Sequence, residues 1–352
     1  MSHTTISPAR RALRWLPERD RLKTPLANSL LIRATRSPWI GLYATAAYFA
    51  LAALVTPEIA SLANLQGLAV SLAPLMVLAA GQTLVIVSGG IDLSLTGVVA
   101  YASVLGAMTM TSESLPAGGS VIAGVVVVLT VGAIAGAANG VAVAWLGMPP
   151  FLTTLVTLMF FNGLAQWQTR SQPIGMLPEE FIGLSFSNII GVPVALLLAA
   201  AATAVAHLWL RHALTGQRLY AVGQNRATAR VSGLPVARTI FSAYVACGLL
   251  AGVATLLYMM RLAAGKPDLV SETVLLDAVA AAVIGGASLA GGQGSIGGAV
   301  LGAMFLTLIG NSLNLMGSLQ IWHVLLVKGS VILIGVSISA WRNARLRRTV
   351  AA

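Results

Sequence analysis

Ten apolar runs separated by short polar connections make up most of the chain. They cover 38–56, 66–88, 93–112, 119–146, 150–168, 192–210, 239–260, 274–290, 295–315 and 320–341. A helix needs roughly 20 apolar residues to cross a hydrocarbon core about 30 Å thick. The runs are apolar nearly all round rather than striped, which points to burial in lipid or within a bundle. The pattern therefore predicts an all-α integral membrane protein with about ten transmembrane helices. The run at 119–146 is longer than one upright helix needs, so it is expected to tilt or break.

Composition narrows the class. Of 352 residues, 57% are hydrophobic and 9% charged, against about 25% charged in an ordinary soluble domain. So few charges cannot cover a water-soluble fold of this size. A soluble enzyme, a disordered tail and a nucleic-acid-binding domain are excluded as the main reading. The first apolar run follows a long basic arm with no clear cleavage site, so it is read as a retained helix rather than a secretory signal.

The net charge of +11 takes its meaning from where the charges sit. Residues 1–36 hold eight bases and two acids, 211–238 hold five bases and no acid, and the tail holds Arg342, Arg345, Arg347 and Arg348. Lys and Arg concentrate on the cytoplasmic side of membrane proteins. With ten spans, all three basic segments fall on one side. That side sums to +15, and the other, with Glu58, Glu113, Glu179, Glu180, Asp268 and Glu272 against Arg170, Arg261 and Lys266, sums to −3. Asp92, Asp277 and Lys328 lie in or beside spans. This gives a basic arm at 1–37, a transmembrane domain at 38–341 with a basic loop at 211–238, and a basic tail at 342–352. Both termini are expected in the cytoplasm.

Chemistry-bearing motifs are sparse. The single cysteine, Cys247, forbids an intrachain disulfide and a CxxC metal site. The four histidines show no metal-ligand spacing, and no nucleophile–base pair stands out, so neither a catalytic residue nor a metal site is assigned. Gly292 to Gly297 formally match G-x-G-x-x-G, but the match lies between apolar helices with no βαβ context and is read as accidental. No P-loop occurs, so any ATP hydrolysis belongs to another polypeptide.

Asp92 carries the first signal. A carboxylate between two apolar stretches costs about 2.5–3.5 kcal/mol at a bilayer centre. Gly89 and Gly90 before it can break the helix, and Ser94 after it can satisfy the carboxylate. Asp92 is therefore either a cap on the third helix or a polar hinge near a transport path. Val87–Leu93 reads VSGGIDL and Val283–Leu289 reads VIGGASL, an internal echo of the kind seen where structural repeats interrupt helices. Gly132, Gly136 and Gly140, like Gly298 and Gly302, recur at i+4 and mark close helix packing or a dimer seam. The basic loop carries the second signal. Its glycines, Gly216, Gly223 and Gly233, and Pro235 suit a docking element, with a short helix over 224–232 ended by Gly233. In-span amides Asn139, Asn162, Gln166 and Asn311, with Trp167, are candidates for a substrate pathway or for bridges between helices.

At these residues the chain resembles the permease subunits of bacterial ATP-binding-cassette importers for monosaccharides, of the ribose type. The resemblance spans about 64–336. It rests on Gly81-Gln82-Thr83-Leu84-Val85-Ile86-Val87-Ser88-Gly89-Gly90-Ile91-Asp92-Leu93-Ser94, on Gly223-Gln224-Asn225 through Ser232-Gly233, and on Leu276-Asp277-Ala278-Val279-Ala280 through Gly285-Gly286 and Gly291-Gly292-Gln293-Gly294-Ser295. It implies the fold of such a permease, in the inner (cytoplasmic) membrane, working as a homodimer. The partners it implies are two cytoplasmic ATPase domains, which use ATP and Mg, and a periplasmic sugar-binding protein. It implies no cofactor bound by this chain and no nucleic acid. The 211–238 loop would hold the ATPase-coupling helix, with Arg218, Gly223, Asn225, Arg226, Arg230 and Gly233 as coupling residues. Gly89, Gly90, Asp92, Ser94, Asp277, Gly285 and Gly286 are candidates for a hinge, a gate or the pathway. The outer loop at 170–191 is either a dock for the binding protein or a solvated connector. The chain departs from the family at Thr96, where a glycine is usual, at Leu275, where a glutamate is usual, and at Asn162, where an arginine is usual. An ion-coupled secondary carrier is the alternative, with Asp92 and Asp277 as ion sites. A membrane enzyme is the third class weighed.

Overall fold

The computed structural model describes residues 39–114, 116, 118–317 and 320–351. The basic arm read at 1–37 lies outside the described residues, as do the side chains of the basic tail. The apolar runs become helices: α1 (Trp39–Val55), α2 (Leu62–Val87), α3 (Leu95–Met110), α4 (Gly119–Ala144), α5 (Pro150–Thr169), α6 (Glu179–Phe186), α7 (Val194–His212), α8 (Leu214–Gln224), α9 (Arg226–Val231), α10 (Val236–Leu262), α11 (Glu272–Ile284), α12 (Ile296–Leu315) and α13 (Ile321–Ala351). A 3-10 turn at Pro57–Ala60 follows α1. Two two-residue strands, Asn188–Ile189 and Val192–Pro193, pair antiparallel before α7.

α2 shows why an all-round apolar helix belongs at the centre. Every residue from Ala73 to Val87 is buried, with α7, α10, α11 and α12 packed around it. Pro74 lies inside α2 without ending it. α10 is the second buried axis, and α4 packs along it. The glycine series explains that seam. A Cβ on Gly132 would collide with the Gly248 carbonyl, one on Gly136 with the Tyr244 carbonyl, and one on Gly248 with the Gly132 carbonyl. Gly298 and Gly302 likewise let α12 lie against Gly285 and Ala281 of α11. Both i+4 glycine series are therefore used inside this subunit, as close packing.

Among the described residues, five helices, α2, α4, α7, α10 and α12, are long and apolar enough to cross a membrane. α4 is one continuous helix of 26 residues, so the break allowed for 119–146 does not occur. At 93–112 and 274–290 the helices are shorter than the apolar runs. α3 has 16 residues and α11 has 13, about 24 Å and 20 Å at 1.5 Å per residue. Glycine turns occupy 88–94 and 285–295, taking residues that hydropathy alone counts as span. The last apolar run continues without a break, so α13 joins the span expected at 320–341 and the tail in one helix.

Contacts sort the connections into two ends. At one end, Gly292 N–H donates to the Val87 carbonyl at 2.9 Å, and the Thr154 hydroxyl reaches the Ile91 carbonyl at 3.4 Å. The other end is tied by the Ile174–Gly265 bridge, by the Gln66 amide reaching the Gly191 carbonyl at 3.5 Å, and by paired amides of Asn64 and Asn311. The first end carries Arg211, Arg218, Arg226, Arg230 and Arg238; the second carries the six acids of the −3 side.

Candidate coupling and gating site

Two glycine turns and the basic loop form the site. α2 ends in a Schellman turn: Gly89 N–H donates to the Ile86 carbonyl at 2.9 Å and Gly90 N–H to the Val85 carbonyl at 3.0 Å, with Gly89 at φ +83. α11 ends the same way. Gly286 N–H donates to the Val283 carbonyl at 3.0 Å and Ala287 N–H to the Ala282 carbonyl at 2.9 Å, with Gly286 at φ +98. Only glycine adopts that backbone without strain. The sequence echo is thus a structural one, shifted by one residue: Gly89 corresponds to Gly286, while Gly285 fills the place of Ser88. The bare Cα of Gly285 is required for another reason, because a Cβ there would collide with the Gly298 backbone.

The polar chain around Asp92 runs across three elements. Asp92 Oδ1 accepts from Ser94 N–H at 2.8 Å and from Ser94 Oγ–H at 2.5 Å. Ser94 Oγ accepts from Asn139 Nδ2 at 2.9 Å, and Asn139 Oδ1 accepts from Thr157 Oγ1 at 2.6 Å. This links the 88–94 turn, which leads into α3 at Ser94, to α4 and α5. With its side-chain amide turned over to match donors with acceptors, Gln82 pairs with the Asp92 backbone in both directions, donating to its carbonyl at 3.0 Å and accepting from its N–H at 3.3 Å. Asp92 accepts the N–H of Ser94, the N-cap residue of α3, but no side chain caps the helix itself; Asp92 does so 1% exposed. Gly90 faces Tyr244, whose hydroxyl would lie 2.6 Å from a Cβ at position 90.

The basic loop folds as α8 and α9. Asn225 caps α9, its side chain accepting from Thr228 N–H at 3.0 Å. The short helix expected over 224–232 is therefore Arg226–Val231, and Gly233 at φ +76 ends it. Arg226 and Arg230 are exposed, and Arg218 is half-buried. α8 meets both glycine turns. A Cβ on Gly223 would collide with the Val87 carbonyl and sit 2.6 Å from Gly292 N; a Cβ on Gly291 would sit 2.6 Å from the Gly223 carbonyl and 2.9 Å from Gly89 Cα. The Tyr220 hydroxyl donates to the Gly294 carbonyl at 2.9 Å, and Arg226 Nη2 reaches the Gly89 carbonyl at 3.5 Å. Burial pushes the Tyr220 phenol up, with Arg211 pulling the other way, so the phenol keeps its proton and donates. The 292–297 glycine pattern serves this junction, and Ser295 caps α12 by accepting from Gly298 N–H at 3.1 Å.

The structure does not gather the pathway candidates into one place. Asn139 is the buried bridge just described, and Asn311 pairs with Asn64 at 2.9 and 3.1 Å near the opposite end. Asn162 is half-buried, while Gln166 and Trp167 are exposed on α5, Trp167 by 78%. Asp277 is 7% exposed, and its Oδ2 lies 2.8 Å from Lys328 Nζ of α13. Sequence reasoning missed Lys328, Tyr220, Tyr244 and Gln82 as partners. Only Lys328 had a usable signal, as the single base inside the apolar runs, opposite in charge to Asp277 in another run. Among the described residues there is no cluster of three or more His, Cys, Asp or Glu side chains able to hold a metal ion.

The sequence pattern of the family described as "Branched-chain amino acid transport system / permease component" matches residues 64–336. The chain is 37% identical over 294 residues to a "Probable ABC transporter permease protein y4mJ" of Sinorhizobium fredii, covering 82% of this chain and 85% of that one. It is 32% identical over 291 residues to the "Ribose import permease protein RbsC" of Escherichia coli K12, covering 82% and 88%. It is 30% identical over 306 residues to the "L-arabinose transport system permease protein AraH" of the same strain, covering 87% and 90%. With the apolar helices and the motifs above, the chain belongs to this permease family and is a multi-pass membrane transport protein.

Proposed function

We propose that this chain is the translocating subunit of an ATP-driven importer for a monosaccharide or related polyol, in the bacterial inner membrane. The carrying observation is the junction of Gly223, Gly89, Gly291 and Gly292, where the basic loop touches the ends of two interrupted helices at once. The +15 side, which holds that loop, is the cytoplasmic one, and the loop receives two ATPase domains that use ATP and Mg. Two copies of the chain form the pore, and a periplasmic binding protein delivers the sugar at the acidic end, near the 170–191 connection. The resident chain binds no cofactor. Relatives named for ribose and arabinose support the substrate class.

Nucleotide-dependent contacts shift the permease between inward-open and outward-open states, because a ligand moves a conformational equilibrium only by its differential affinity. At the junction, movement of α8 and α9 displaces the end of α2 and the start of α12 together. The 88–94 turn then carries the motion to α3 through Asp92 and Ser94. Arg226→Glu and Gly233→Pro are expected to reduce co-purification of the ATPase domains and sugar-stimulated ATP hydrolysis at least tenfold. Unchanged docking and hydrolysis in both variants would remove the coupling role. Uptake by proteoliposomes that hold the permease without an ATPase would instead establish an ion-coupled carrier.

A further inference from the structure

We propose that Lys328 is a positioning residue that fixes the register of α11 against α13, so that the turn after α11 rests on the coupling loop. This rests on the reading of the 211–238 loop given above.

Four observations carry it. The Lys328 Nζ–Asp277 Oδ2 contact of 2.8 Å joins α13 to α11, with both side chains largely buried. Gly310 of α12 leaves the slot that the lysine occupies: a Cβ there would lie 3.1 Å from Lys328 Cε and 3.5 Å from Nζ. α11 itself is short, with 13 residues, and ends directly in the Gly285–Gly286 turn. Its contact with α12 is a seam of small residues, Gly285 and Ala281 against Gly298 and Gly302. Such a seam brings backbones close but offers no directional group to stop sliding along the helix axis. A charged pair in an apolar setting does, since moving either charge off its partner strands it without solvent. On the same face of α11, two turns after Asp277 and directly before the glycines, Ile284 packs beside Gly335, where a Cβ would lie 2.8 Å from Ile284 Cγ1. The pair therefore holds α11, α12 and α13 as one body, and the 285–294 turn moves with it.

The test uses the full chain co-expressed with its ATPase partner. Ile284→Cys with Gly335→Cys gives a disulfide reporter of register, formed with copper phenanthroline. It is placed in the parent chain, in the neutral double variant Asp277→Asn with Lys328→Met, and in the exchanged double variant Asp277→Lys with Lys328→Asp. The neutral double removes both buried charges together, so it is expected to insert at near-parent levels. Its cross-linking is expected to fall about fivefold, and the exchanged pair to recover at least half of it. The same ordering is expected in sugar-stimulated ATP hydrolysis of chains without the reporter cysteines. Parent-level cross-linking in the neutral double overturns the positioning role. A register change that leaves stimulated hydrolysis intact overturns the link to the coupling loop. If the parent permease fails to retain an ATPase at all, the importer reading fails, while the cross-linking result still decides the role of Lys328.

Discussion

Gly223 lies against Val87 so closely that a single methyl group at position 223 would collide with the Val87 carbonyl oxygen. That carbonyl already accepts Gly292 N–H at 2.9 Å. The free end of α2, the 285–294 turn and the basic loop thus share one atom, and anything that moves α8 acts on both turns.

Gly223→Ala is expected to force these segments apart. Overpacking of this kind costs about 1–3 kcal/mol, read as a lower melting temperature of the purified permease and a loss of sugar-stimulated ATP hydrolysis. Gly233→Ala meets no neighbour within 4 Å and suffers only the strain of φ +76. It is expected to cost about 1 kcal/mol and to leave stimulated hydrolysis within twofold of the parent.

Asn139 holds Ser94 and Thr157 together, so its removal is expected to act on stability first. Asn139→Ala takes the donor from the buried Ser94 hydroxyl and one of two acceptors from the half-buried Thr157 hydroxyl, at about 1–3 kcal/mol. Thermal unfolding in detergent checks this. A raised half-saturation for sugar with an unchanged melting temperature would return Asn139 to the substrate pathway.

The Asn64–Asn311 pair makes a sharper case for bridging. Each amide donates to the other, so either single alanine strands a partner. A double-mutant cycle on unfolding is expected to give a coupling of about 0.5–1.5 kcal/mol, and replacing both by leucine should be close to neutral. Additive single effects would show that the two amides do not support each other.

Two glycines in helices are expected to respond in opposite directions. Gly136→Ala drives a Cβ into the Tyr244 carbonyl across the α4–α10 seam, at about 1–3 kcal/mol. Gly163→Ala on α5 meets nothing within 4 Å and gains about 0.4–1 kcal/mol from a less flexible unfolded chain. Comparing the two melting temperatures separates packing from helix propensity.

Read alone, the sequence settled what depends on composition and local pattern. Burial of apolar runs has the same energetic sign wherever they pack, so a helical membrane protein followed from hydropathy alone. The split between a basic and an acidic end followed from parity, and the contacts that gather Arg218, Arg226 and Arg230 at one end agree with it. The short helix at Arg226–Val231 was legible because Asn225 and Gly233 act on their own neighbours in the chain. Contacts between distant residues were not legible. Hydropathy carried the run at 274–290 past the end of α11 at Ile284 because it cannot see that Gly286 takes a left-handed backbone and turns the chain. The glycine series had two readings until Gly132 and Gly136 met the carbonyls of α10. Asp277 stood as an isolated acid until tertiary packing set Lys328, 51 residues later, 2.8 Å away. Local patterns fix which segments become helices; which buried polar group finds which partner depends on how those helices are packed, and only the tertiary structure decides that.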